Sequence, residues 1–158
     1  MQIVRTNAIG RHIETRLVVA KKSVYICSPY ISEQYAQKLV WIAKRGAIVR
    51  VLTSDKIIEN DFFIGRFFKA AKAEEALNTL KTLVLKHRGN SFEHSKLYIF
   101  DDEYAAAGSA NLTRPGMWEH YETMSVTETS EEVQQIKLIF DKAWQDALTS
   151  TFGSSAVE

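Results

Sequence analysis

The sequence is poor in residues that build disulfide, metal or fibrous frameworks. Its 158 residues include one cysteine, Cys27, which excludes an internal disulfide and a four-cysteine zinc site. Beyond Cys27, the soft ligands are His12, His87, His94 and His120, and none stands at a zinc-finger spacing. No metal or cofactor is therefore expected. Seven glycines and two prolines are too few for a collagen, a linker array or a disordered chain. No apolar run approaches the ~20 residues of a membrane span. Charges interrupt every apolar stretch of the first 22 residues, which does not fit a signal peptide and makes a cytoplasmic location the expectation.

What is present is an ordinary globular mixture, 46% hydrophobic and 25% charged. The length fits one domain, burying roughly 70% of its unfolded surface. Residues 1–148 are expected to form it, with 149–158 as a flexible C-terminal tail. The net charge of +1 conceals an asymmetry. Residues 1–90 hold 16 Lys and Arg against 7 Asp and Glu, whereas 91–158 hold 4 against 12. Two solvated faces of opposite sign would explain this, and so would a basic surface suited to a polyanion. Charge alone does not choose.

Apolar spacing predicts a helix over 7–20, a strand over 23–27, a helix over 32–44 capped by Ser32, and a strand over 47–53. This alternation implies crossover connections and parallel pairing. Residues 56–80 are helical in character, with Phe62, Phe63, Phe67 and Phe68 as core, dimer interface or ligand contact. Strands follow over 82–87, 96–100, 104–108 and 123–128. The chain closes with an amphipathic helix over 130–148, its apolar positions including Val133, Ile136, Leu138, Ile139, Phe140 and Trp144.

One stretch, residues 93–123, carries chemistry. His94 and Lys96 stand two apart at a strand start, so their side chains share a side. Gly108 and Ser109 end the next strand, and Asn111 follows at the turn. A hairpin about Asp101-Asp102-Glu103 would bring imidazole, ammonium, hydroxyl and carboxamide to one edge. One is a nucleophile or proton carrier, and three suit anionic oxygens. Glu122, opening a further strand, could orient the imidazole. Each residue alone is ordinary: a surface histidine, a solvated lysine, turn residues. Their joint spacing is the signal.

His94, Lys96 and Asp101 spell H-x-K-x4-D, followed by Gly108-Ser109-x-Asn111. This resembles the HKD signature of the phospholipase D superfamily, in particular its small single-motif nuclease-type members. The stretch YICSPYIS, residues 25–32, also resembles wording in that superfamily. One departure is His120, where many members carry Asn. The resemblance implies an α/β fold, a single-domain α/β/α sandwich with a mixed central sheet. It also implies a covalent phosphohistidine at His94, and phosphate binding by Lys96, Ser109 and Asn111. Glu122 would hydrogen-bond the imidazole. Asp101, five residues from Lys96 and on the other face, reads as structural. The chemistry needs two histidines and this chain carries one such motif, so a homodimer sharing one site is the expectation. The implied activity is metal-independent cleavage of nucleic-acid phosphodiesters, DNA rather than RNA, without stable membrane association. The alternatives are a lipid phosphodiesterase or phosphatidyltransferase, and a non-catalytic module that binds nucleic acid or dimerises.

Overall fold

A computed structural model of the chain describes residues 1–54, the backbone of 80–85, and residues 93–149. The expectations for Phe62, Phe63, Phe67, Phe68 and His87, and for the tail beyond Thr149, lie outside the described residues. The elements are β1 (Gln2–Thr6), α1 (Gly10–Val19), β2 (Ser23–Cys27), α2 (Glu33–Lys44), β3 (Ile48–Ser54), β4 (Leu80–Leu85), β5 (Leu97–Phe100), β6 (Tyr104–Gly108), α3 (Arg114–Trp118), β7 (Glu122–Thr127) and α4 (Ser130–Thr149).

The strands form one seven-stranded sheet in the order β1-β7-β6-β5-β2-β3-β4. β2 and β3 pair in parallel, as the helix–strand alternation over 7–53 predicts; β4 adds a further parallel pair, and the remaining pairs are antiparallel. The antiparallel β5 and β6 are joined by a tight turn, whereas β2 reaches its parallel neighbour β3 by a crossover through α2.

Side-chain alternation divides the core into two layers. Val24 and Ile26 of β2 pack with α1 and α2, through Ile13, Leu17, Leu39 and Ile42. Tyr25 and Cys27 of the same strand face α4, packing with Val133, Ile136, Phe140 and Trp144. Phe140 stacks on Tyr25 at 5.4 Å and on Trp144 at 5.7 Å between ring centroids. Truncating such a ring to Ala costs about 3–5 kcal/mol.

Three differences from the sequence reading have physical causes. β1 is an unforeseen edge strand, mostly exposed, so burial does not stamp a period on its side chains. α3 is also unforeseen. Pro115 sits in its first turn, where its missing amide costs nothing, and Thr113 caps it by accepting the Gly116 amide at 3.1 Å. In α4, Leu138 and Ile139 are 67% and 59% exposed, because Val133, Ile136, Phe140, Trp144 and Ala147 already define the face on the sheet.

Candidate active site

The site is built at one end of the sheet by the β5–β6 hairpin. Leu97 pairs with Ala107 and Phe100 with Tyr104, so the chain reverses at Asp101-Asp102-Glu103. Asp101 and Asp102 have φ of 57° and 56°, and the Glu103 amide donates to the Phe100 carbonyl at 3.0 Å. Two positive φ values define a I′ turn, whose twist suits a hairpin, and Asp tolerates that region. At the far end the Gly108 amide donates to the Lys96 carbonyl at 3.2 Å. The hairpin therefore sets the His94–Lys96 segment beside Ser109.

His94 is exposed, whereas Lys96 is only 6% exposed. The Lys96 ammonium lies 2.8 Å from His94 Nδ1 and donates to the His94 carbonyl at 2.7 Å. Desolvation pulls the Lys96 pKa below its ordinary value, and the negative charges of Glu122 and Glu93 oppose that shift. Both carboxylates thus help keep the ammonium charged. Glu93 is a neighbour the sequence reading missed. It is buried, and it accepts the Ser95 amide at 2.7 Å. An acidic residue just before His94 carries no periodic signal that marks it as inward-facing.

Ser109 bridges β6 to β7. Its amide donates to the Thr123 carbonyl at 3.0 Å, its Oγ accepts the Thr123 amide at 3.0 Å, and its hydroxyl donates to the Glu122 carboxylate. The single hydroxyl proton of Ser109 is therefore given to Glu122, and a phosphate oxygen would have to compete for it. This closeness depends on Gly108, where a Cβ would meet the Thr123 carbonyl oxygen at 2.2 Å.

Asn111 sits in a loop tied down on every side. Tyr98 donates its hydroxyl to the Ala110 carbonyl at 2.7 Å. The Leu112 amide donates to Ser28 Oγ at 3.0 Å, and the Ser32 amide to the Leu112 carbonyl at 3.1 Å. Ser28 and Ser32 belong to the YICSPYIS stretch, whose loop is thereby a wall of the site. The Asn111 Oδ1 is buried and finds no hydrogen-bond partner among the described residues. Buried amide oxygens are normally paired; this oxygen only accepts, so of the carboxamide it is the Nδ2 amide that has hydrogens to offer a phosphate oxygen.

Behind this loop, α3 is clamped between glycines. A Cβ on Gly116 would meet the Asn111 carbonyl oxygen at 2.4 Å, and one on Gly10 would meet the Trp118 ring at 2.3 Å. Trp118 donates its indole N–H to Glu14 at 2.9 Å, and Tyr35 donates its hydroxyl to the same carboxylate at 3.0 Å. Lys38 completes an ion pair with Glu14. Burial raises the Glu14 pKa, but hydrogen bonds from Lys38, Trp118 and Tyr35 outweigh it and hold the carboxyl below its ordinary value.

Asp101 stands apart from this cluster, in the turn at the other end of the hairpin. Its carboxylate accepts the backbone amides of Lys21, Lys22 and Ser23 at 2.7–3.1 Å. It ties the α1–β2 junction to the hairpin. Burial raises its pKa, but these amides and the Lys22 charge outweigh that and lower it. His120 is exposed, with its amide on the Pro115 carbonyl at 2.8 Å.

The family model described as "Cardiolipin synthase, PLD-like domain" matches residues 13–144. Cardiolipin synthase 1 of Bacillus anthracis is 33% identical over 127 residues, which is 77% of this chain and 23% of that protein. The chain spans about a quarter of the length of the curated relatives it matches. Among solved structures, NucT from Helicobacter pylori superposes with a TM-score of 0.68 at 20% identity, covering 91% of this chain and 94% of that one. Nuc from Salmonella typhimurium, a phospholipase D family member, gives 0.66 at 16% identity, covering 91% and 93%. A matched region that takes in both walls of the site, together with this shared fold, places the sandwich and its His94–Lys96 segment in one lineage: the chain belongs to the phospholipase D superfamily.

Proposed function

We propose that the chain is a phosphodiesterase acting on nucleic acid through a phosphohistidine at His94. The observation that carries this reading is the convergence of His94, Lys96, Ser109 and Asn111 at one sheet end. A ring nitrogen of His94 attacks phosphorus, and the bond from phosphorus to the leaving oxygen breaks. That oxygen takes a proton from a second motif histidine, supplied by a second copy of the chain. Water, deprotonated by the same histidine, then cleaves the phosphorus–nitrogen bond and releases the phosphate product with His94 restored. Lys96 and Asn111 hold the non-bridging oxygens, and Glu122 fixes the local electrostatics through Ser109 and Lys96.

Lys96 and the histidines cover the charge-stabilising and nucleophilic roles that metals fill elsewhere, so cleavage should survive chelation. The test is cleavage of labelled DNA and RNA in EDTA. Activity abolished by chelation and restored by Mg²⁺ would sink the mechanism. The shared site has its own test. Co-expressing wild-type and His94→Asn chains in equal amounts should leave about a quarter of full activity, whereas independent sites would leave about half.

A second reading, phosphatidyl transfer, is favoured by the sequence relatives, which are named cardiolipin synthases. The same covalent intermediate would then be attacked by a lipid hydroxyl instead of water. Among the described residues no helix is long and apolar enough to cross a membrane. Transfer of a labelled phosphatidyl group from phospholipid vesicles to a lipid hydroxyl, with no cleavage of DNA or RNA, would establish this second reading.

A further inference from the structure

The end of the sheet that carries His94 also carries exposed rings. Among the described residues four aromatic side chains are at least 40% exposed: Tyr30, Trp41, Trp118 and Tyr121. Tyr30 follows β2, Trp118 ends α3, and Tyr121 immediately precedes β7, so three of the four stand on segments at the catalytic end. Trp41 is on α2, covered by the Arg45 guanidinium. Tyr121 is the most open, at 67%. It immediately precedes Glu122, and strand alternation turns it with Arg5 and Thr123 to the α4 face of the sheet, opposite Glu122, Met124 and Lys96. Across the sheet edge, β1 pairs Thr6 with Glu122 and Arg5 with Thr123. This register puts the Arg5 guanidinium over the Tyr121 ring, 4.9 Å from its centroid. On the other side of the cradle, Ile31 bridges to Leu112, setting the exposed Tyr30 next to the Asn111 loop.

We propose that Tyr121, backed by Arg5, is a base-stacking platform at the catalytic end of the sheet, on the face opposite Lys96, where a strand leaving the phosphate cradle crosses the sheet end, with Tyr30 as its counterpart beside the Asn111 loop, and that the substrate is a single-stranded nucleic acid. This rests on the nucleic-acid reading of the site above. An open phenol ring with a guanidinium on one face stacks an unpaired base on the other. Bases in a duplex have both faces covered by neighbours, so a duplex gains nothing from the platform. A lipid head group has no planar face to offer it.

The experiment uses the His94→Asn chain, which binds without turnover. Three fluorescent ligands are compared at fixed salt: a single-stranded oligonucleotide, an abasic strand of the same length and charge, and the duplex. The base-bearing single strand should bind roughly tenfold tighter than the abasic strand. Tyr121→Ala should erase most of that ratio and Tyr121→Phe should preserve it, because the ring and not the hydroxyl stacks. Arg5→Gln should weaken both strands through lost phosphate attraction, and the base-bearing strand more, so that the ratio also falls. Equal binding of base-bearing and abasic strands would overturn the platform while leaving the nucleic-acid reading intact. So would a ratio unchanged in Tyr121→Ala, or a duplex bound as tightly as the single strand. Binding to vesicles of anionic phospholipid with none to any of the three nucleic-acid ligands would overturn both.

Discussion

Asp101 and Glu122 are carboxylates at opposite ends of the same β-layer, and they do different work. Asp101 faces backbone: its partners are amides of a junction some 80 residues earlier in the chain. Glu122 faces side chains: it accepts the Ser109 hydroxyl and lies within electrostatic reach of Lys96. A carboxylate saturated by fixed amides stabilises geometry and has little left to exchange with a ligand. One set among a hydroxyl and a nearly buried ammonium can trade partners during a reaction. The same division runs through the sheet. Its turn end closes on paired charges such as Arg16 with Glu128, whereas its loop end gathers Lys96, an unpartnered Asn111 oxygen and exposed rings.

The largest expected effect breaks the loop end alone. His94→Asn removes the proposed nucleophile, so phosphodiester cleavage should fall by more than the roughly 10²–10³ typical of losing one charge-stabilising donor. Because His94 is exposed, the melting temperature should barely move. Near wild-type turnover would rule His94 out.

Gly116→Ala tests whether α3 seats the cradle. Its Cβ would press on the Asn111 carbonyl, so the expectation is a loss of about 1–3 kcal/mol by denaturant titration together with a fall in kcat. Stability lost with kcat unchanged would mean that the Asn111 loop does not depend on α3.

Glu122→Gln sharpens the contrast by pH. Removing that negative charge leaves desolvation of Lys96 less opposed, so its ammonium loses its proton at lower pH than in wild type. The alkaline limb of the pH–rate profile should shift downward. A limb that stays in place would separate Lys96 from Glu122.

Asp101→Asn should reverse the pattern, with a modest stability loss of about 1 kcal/mol and little change in turnover. The folded carboxyl lies below its ordinary value, so its contribution is fully present above the unfolded pKa and is lost as pH falls through the folded one. The stability gap between wild type and Asp101→Asn should therefore narrow on acidification below about pH 4. A folded Asp101→Asn protein without activity would place Asp101 in the chemistry.

Elements stabilised by their own periodicity were legible in advance. β2 and β6 fall where the apolar runs place them, and α2 and α4 begin and end within a residue or so of the expected bounds. The hairpin was legible because its strands flank a three-residue turn, which brings Lys96 opposite Gly108. β1 was not, since an edge strand with one half-buried face leaves no strict alternation. Glu93 and Ser28 were not singled out, because a buried acid and a buried hydroxyl are defined by what surrounds them, and those surroundings come from distant segments.

The sequence by itself determined the local chemistry: a His and a Lys two apart, a Gly-Ser-x-Asn after the next strand, and a turn between them. Short-range backbone geometry dictates which of these side chains share an edge. Tertiary structure decided the rest. It placed the Ser28 loop and the Glu14–Trp118 brace behind Asn111, and it set Arg5 over Tyr121 across a sheet edge. Contacts between segments some 80 to 115 residues apart depend on strand order and register, which no local pattern encodes.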